Sequence, residues 1–329
     1  MAILNQSITL VTGAGGFIGS HLVEQLLSRG VKVRAFIKYN SRHDIGLLKI
    51  ISQRNRNNLE IIEGDLRDPQ ALIRATQKCN IVFHLGALVS IPYSYLYPGE
   101  VIETNLTGTY NVLSACKKNG VNRVIQTSTS EVYGTAQYIP IDEKHPLRGQ
   151  SPYSASKIGA EKLAESFYCS YALPVVILRP FNTYGPRQTT RAIIPTIISQ
   201  EIKNEKINLG NIETTRDFTY VIDTVMGFIK AATAENVEGK TINLGTGRET
   251  SIRELIKIIL EMVNCKSEIV SDLSRIRPNN SEVMRLVSDN SYAHTILGWK
   301  PKYSLEEGIE LTIKWIKDNY QQYSEFYLT

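Results

Sequence analysis

The ten residues VTGAGGFIGS (11–20) constrain the fold more than any other stretch of the chain. They end the apolar run SITLV (7–11) and open FIGSHLVEQLLSRG (17–30), where Ile18, Leu22, Leu26 and Leu27 recur at helical spacing before Gly30. A strand that turns through glycines straight into a helix has few uses. Gly13 permits the tight turn, Gly16 bares the backbone to an approaching pyrophosphate, and Gly19 lets helix and strand pack closely. The N–H groups at the helix start, around Phe17 and Ile18, add partial positive charge for phosphates. This spacing predicts a dinucleotide site.

The pattern repeats as a rhythm. Short β-branched runs at 31–37, 59–65, 80–87, 122–129 and 173–180 alternate with amphipathic stretches up to residue 180. Strands apolar on both faces imply a parallel sheet covered on both sides, a doubly wound α/β fold of the Rossmann type. After residue 180 the rhythm loosens into short strands near 207–210, 216–223 and 240–247, then helices near 251–264 and 304–319. The expected division is a dinucleotide domain of residues 1–180 and about 215–250, interleaved with a smaller α/β C-terminal substrate domain of about 181–214 and 251–329.

Composition narrows the function classes. A net charge of +5 without a basic block gives no nucleic-acid footprint. Cys79, Cys116, Cys169 and Cys265 form no CxxC pair, and no His-x-His or HExxH spacing occurs, so no metal site is expected and a reducing cytoplasm fits. The apolar runs are strand-sized, far short of a membrane span, and the N-terminus lacks a signal-peptide layout.

At the other strand ends, Asp65 stands where a carboxylate would accept the adenine amino group or else cap a turn, with Leu66 beside it. Leu85, Gly86 and Ala87 leave room for a cofactor to lie against the chain, while His84 reads as packing. The second strand ends in KYNSR without the acid that usually holds NAD ribose hydroxyls. Lys38, Ser41 and Arg42 would engage a 2′-phosphate, so NADP is expected over NAD.

Tyr153 and Lys157 in SPYSASK are four residues apart, on one face of a helix that starts after Pro152. A phenol is a poor base at neutral pH, but a neighbouring ammonium and an oxidised nicotinamide would favour the phenolate. Tyr153 would then take a hydroxyl proton as hydride leaves the carbon. Upstream, TSTSEVYG (127–134) sets Glu131 among hydroxyls just past a buried strand, either as turn chemistry or as a base.

TGAGGFIG, TSTSEVYG, YSASK, RPFNTYGPR, RDFTYVID and RPNNSEVMRLVSDNSYAHTILGWKP, in that order, resemble the extended short-chain dehydrogenase/reductase superfamily in its nucleotide-sugar epimerase/dehydratase branch. The resemblance implies a proton-relay triad of Thr129, Tyr153 and Lys157, with Lys157 also on the nicotinamide ribose. It implies substrate contacts from Asn182, Arg187, Arg216, Arg275, Arg277 and Glu282, the arginines reaching the pyrophosphate. Thr129-Ser130-Glu131 is similar to the Thr-Ser-Glu of GDP-mannose 4,6-dehydratases and departs from the Thr-Asp-Glu of dTDP-glucose 4,6-dehydratases. That assigns Glu131 the C5 proton, with Ser130 assisting, and leaves the acid open.

The expected activity is a sugar-nucleotide 4,6-dehydratase whose cofactor stays bound and is regenerated each turn. Several segments look most like dehydratases of the legionaminic-acid type, which suggests GDP- or UDP-linked N-acetylglucosamine as substrate. A 4-epimerase and a UDP-glucuronate decarboxylase remain the alternatives. A non-catalytic dinucleotide-binding protein would have no use for Thr129, Tyr153 and Lys157 together. The resemblance also implies a homodimer or higher homo-oligomer built on helices near 101–118 and 153–171.

Overall fold

The computed structural model describes residues 8–51, 57–203, 206–264 and 267–323; Cys265 lies outside them. Six strands alternate with helices: β1 (Ile8–Thr12), β2 (Lys32–Lys38), β3 (Leu59–Gly64), β4 (Cys79–His84), β5 (Arg123–Thr127) and β6 (Val175–Pro180). Four short strands follow, β7 (Asn182–Tyr184), β8 (Ile207–Leu209), β9 (Thr215–Arg216) and β10 (Phe218–Tyr220), and then β11 (Thr241–Leu244), β12 (Thr250–Ser251) and β13 (Ile269–Ser271). The main sheet is parallel, in the order β11-β6-β5-β4-β1-β2-β3. The strand order reverses between β1 and β4, and ligands bind in the crevice such a switch point leaves at the strand C-termini.

The period of two along each strand divides the interior. Leu10, Val82, Val124, Val175 and Ile177 point into one core with Leu72, Val112, Leu113 and Phe167. Their neighbours Val11, Ile81, Phe83, Ile125, Val176 and Leu178 point into the opposite core with Leu22, Leu26, Val225 and Phe228. Helices therefore cover both faces, as the continuous apolar runs require.

The chain leaves the sheet after β6 and returns to it. Val221–Thr233 forms a helix whose Val225 and Phe228 join the core under the sheet, and β11 then pairs with β6. The stretch RDFTYVID is accordingly not one strand: β9 and β10 end at Tyr220, and Val221 opens that helix. The segment expected as one helix near 101–118 is built as Pro98–Ile102, a π-turn Glu103–Thr107 and Gly108–Lys118. Among the described residues no helix is long and apolar enough to cross a membrane.

Candidate active site

The glycine turn is held by backbone contact. Gly13 has φ +67°, and a Cβ there would stand 2.8 Å from the Gly86 nitrogen. A Cβ on Gly19 would stand 2.2 Å from the Gly13 carbonyl oxygen, so the first helix, Phe17–Leu27, can approach only without one. Gly16 is the N-cap and offers no side chain, and no acid sits in the first turn, so the helix start presents bare N–H groups. Gly86 and Gly108 both sit against Leu66, whose side chain would meet a Cβ on either.

A buried hydrogen-bond chain fixes the strand ends around that turn. Thr109 donates its hydroxyl to the Asn105 carbonyl at 2.6 Å, so it accepts from His84 Nε2 at 3.1 Å. His84 Nδ1 then accepts from the Thr12 hydroxyl at 2.7 Å, and Thr12 accepts the Gly86 N–H at 3.0 Å. Burial, with Lys157 nearby, drives the His84 pKa down to about 3, which keeps the ring neutral. His84 is a packing residue. Asn105 extends the chain by pairing both ways with the Leu88 backbone and donating to Ser156.

The reactive residues gather where β5 ends. Thr129 caps the short 3-10 turn Ser130–Tyr133, its hydroxyl oxygen accepting the Glu131 N–H at 3.2 Å. The helix Pro152–Tyr171 starts on Pro152 behind a Ser151/Ser154 capping box, which sets Tyr153 in its first turn. Tyr153 is buried and hydrogen-bonded to the Thr129 side chain. Burial raises its pKa well above the ordinary phenol range, the Thr129 bond opposes this, and the Glu131 carboxylate adds to it. Lys157, one turn on, is buried and donates to the Thr127 carbonyl at 2.6 Å; burial lowers its pKa to about 8, against the pull of Glu161. Ser130 is buried, while Glu131 stays half-buried at the cleft.

Some buried polar atoms near the ends of β5 and β6 lack hydrogen bonds. Among the described residues, the Thr127 and Ser128 hydroxyls and Asn182 Oδ1 are buried with no hydrogen bond. The uncapped helix start and the glycine cradle fit the pyrophosphate of a dinucleotide at the switch point.

A second wall faces them. Arg216, buried, donates to the Thr215 carbonyl and lies 3.7 Å from the Glu282 carboxylate, which also lies 3.6 Å from Arg277. Burial depresses the Arg216 pKa, and the nearby Glu131 opposes that, so the two walls share one electrostatic space. Arg277 Nη1 is buried without a hydrogen bond.

Other expected residues are engaged elsewhere. Arg187 pairs with Glu24 of the first helix at 2.6 Å, so its guanidinium ties that helix to the β7 loop and is not turned to the Glu282 cluster. Arg275 is bound to Asp272. Asp65 accepts the Arg67 N–H at 2.8 Å and two guanidinium bonds, which hold its carboxyl below the usual range, so it caps the turn. Lys38, Ser41 and Arg42 stand exposed at the end of β2, and Ala87 and Leu85 line the half-buried segment after β4. Sequence reasoning missed the Thr12–His84–Thr109 chain and the orphaned Thr127 and Ser128 hydroxyls, because nothing in their spacing tells a polar core residue from an open one.

Residues 10–312 match the family model described as GDP-mannose 4,6 dehydratase. The chain is 32% identical over 320 residues to a putative UDP-glucose 4-epimerase of Methanocaldococcus jannaschii, covering 94% of this chain and 98% of that protein. It is 33% identical over 322 residues to a UDP-N-acetyl-alpha-D-glucosaminuronate decarboxylase of Bacillus cytotoxicus, covering 94% and 97%. A solved dTDP-glucose 4,6-dehydratase of Streptomyces venezuelae with NAD bound superposes at a TM-score of 0.85, with 28% identity over 96% of this chain and 99% of that one. Three reactions on sugar nucleotides thus share this architecture. The chain is a member of the GDP-mannose 4,6-dehydratase family, extended short-chain dehydrogenase/reductases that act on sugar nucleotides.

Proposed function

We propose that the enzyme is a sugar-nucleotide 4,6-dehydratase that converts a nucleoside-diphosphate hexose into its 4-keto-6-deoxy form. The observation that supports this reading over a 4-epimerase is Glu131, a half-buried carboxylate close enough to Tyr153 and Arg216 to act on both charges. The glycine turn would hold the pyrophosphate of a nicotinamide dinucleotide and Lys157 its ribose, and the cofactor would supply a reversible hydride acceptor. As the phenolate, which the Lys157 ammonium and the positive charge of an oxidised nicotinamide would favour, Tyr153 takes the C4 hydroxyl proton, with Thr129 hydrogen-bonded to it. Once C4 is a ketone the C5–H bond is acidic, and Glu131 takes that proton. The C6 hydroxyl departs as water with Ser130 assisting, the proton it gains balancing the one lost from C5; hydride then returns to C6 and a proton to C5. Positioned proton transfer of this kind is worth about 10²–10⁴-fold per group. Asn182, Arg277 and Glu282 hold the sugar nucleotide on the residues of about 181–214 and 251–329, with Arg216 reaching it from the 215–250 segment, and the dinucleotide occupies the rest.

The bound NAD of the solved relative supports NAD as cofactor. The preference for NADP rests only on the exposure of Lys38, Ser41 and Arg42 and finds no support among the relatives. Comparing the two affinities in the native chain and in Lys38→Asp decides between them. The substrate on this reading is GDP- or UDP-linked N-acetylglucosamine. The same reading includes a homodimer through Gly108–Lys118 and Pro152–Tyr171, which expose Tyr110, Tyr168 and Tyr171.

Incubation with a panel of sugar nucleotides and product mass tests the reaction. Loss of one water supports dehydration; loss of carbon dioxide, or an unchanged mass with inverted C4, supports a decarboxylase or an epimerase instead. Glu131→Gln should abolish C5 exchange in heavy water and slow dehydration by about 10²-fold or more while C4 oxidation persists. A variant that dehydrates at the native rate removes Glu131 from the mechanism.

A further inference from the structure

Buried charge continues behind Lys157. Glu161 lies one helical turn further along Pro152–Tyr171, on the same face, with its side chain 3% exposed. Arg179, near the end of β6, grips it twice: Nε donates to Oε1 at 2.9 Å and Nη2 to Oε2 at 2.6 Å. Arg179 Nη1 donates in the other direction, to the Tyr133 hydroxyl at 2.8 Å. Tyr133 ends the 3-10 turn that contains Glu131, and it passes its own proton to Asn243 of β11 at 2.7 Å. One guanidinium therefore ties the helix of Tyr153 and Lys157 to the turn of Glu131.

A buried ion pair is a poor way to gain stability, since apolar residues of equal volume are often as good. Its use lies in what it faces. Around Lys157 stand Tyr153 and Glu161 on its own helix, His84 from β4, the Thr127 carbonyl from β5 and, beyond Glu161, Arg179 from β6. His84 is neutral and Tyr153 is a phenol, so Glu161 is the anion that acts on the Lys157 charge. Burial alone favours a neutral amine.

We propose that Glu161, anchored by Arg179, is a positioning residue that keeps Lys157 an ammonium against the bound dinucleotide. This rests on Lys157 facing the dinucleotide and not on which sugar reaction follows, so it is tested with NAD alone, without sugar nucleotide. The dissociation constant is measured from about pH 6 to about pH 10 on the full chain. Native affinity should fall as pH rises through the Lys157 ionisation. In Glu161→Gln the fall should come about one pH unit lower, which is about threefold weaker binding midway between the two ionisations and approaches about tenfold above both. Glu161→Gln leaves Arg179 buried without its anion, so Glu161→Gln/Arg179→Gln is measured beside it. The double variant should regain thermal stability while its binding profile stays shifted. A double variant that regains the native profile makes the pair structural and overturns the proposal. Superimposable profiles in all three proteins, or native binding that ignores pH, overturn it as well.

Discussion

The two walls of the cleft are built on different terms. The glycine side is close-packed: a Cβ on Gly13 would stand 2.8 Å from the Gly86 nitrogen, and the Thr12–His84–Thr109 chain satisfies every member. The phosphate wall differs. Arg216 and Arg277 share one carboxylate, Glu282, at 3.7 and 3.6 Å, and Arg277 keeps a buried donor without a hydrogen bond. On the proposed reading, a rigid wall suits a cofactor regenerated within each turnover. A wall of long ionic contacts suits a substrate diphosphate that must enter and leave, since only loosely held donors can be reassigned quickly.

The comparison breaks first at Gly13. Gly13→Ala forces a Cβ to within 2.8 Å of the Gly86 backbone at a positive φ, and the strain costs about 3 kcal/mol or more. NAD affinity measured by titration should fall at least 10²-fold, and native affinity in that variant would mean that the wall yields. Next, Arg216→Met removes a buried charge opposite Glu282. The Michaelis constant for the sugar nucleotide should rise about 10²-fold while NAD affinity holds. Equal losses on both ligands would merge the two walls into one.

Acid distinguishes them more gently. Burial lowers His84 to about 3 and His21 to about 4 from 6.5, so between those values the unfolded chain binds protons that the folded chain does not. Stability from these rings is present above pH 6.5 and is lost as pH falls, by about 2 kcal/mol for each ring at pH 5. The raised carboxylates Asp217 and Glu143 act in the opposite sense. Replacing His84 with Asn should reduce the fall in urea midpoint between pH 7 and pH 5, and a fall as large as in the native chain would contradict the neutral His84 chain. The smallest effect is Glu282→Gln, which frees both guanidinium groups and should tighten inorganic pyrophosphate by a few-fold, about 1 kcal/mol or less. Weaker binding would mean that Glu282 positions the two guanidinium groups for phosphate and does not compete with it.

Much of the dinucleotide wall was legible because its causes are local. Glycine at 13, 16 and 19 encodes a turn, a bare helix start and a close approach within seven residues, and Tyr153 and Lys157 share a face by spacing alone. The Arg216–Arg277–Glu282 cluster was expected only by resemblance, and Arg187, expected beside it, is paired elsewhere. Arg187 sits in the same motif as Asn182, yet it reaches back to Glu24, more than 160 residues away. Guanidinium groups reach far, so sequence position limits them poorly. Glu161 shows the reverse case: its spacing from Lys157 was in plain view, but its meaning depends on Arg179 arriving from another strand.

The last strand to join the main sheet has a consequence for synthesis. β11 is the edge partner of β6, aligned so that Asn243 faces Arg179, but more than sixty residues of chain separate the two. Until residue 244 has left the ribosome, β6 presents an open strand edge, and Tyr133 lacks the acceptor that orients its hydroxyl toward Arg179. A nascent chain stalled earlier would display a nearly complete cofactor platform with a sticky flank. Such a species is one for a chaperone to shield, and translation speed across residues 181–244 becomes a determinant of yield.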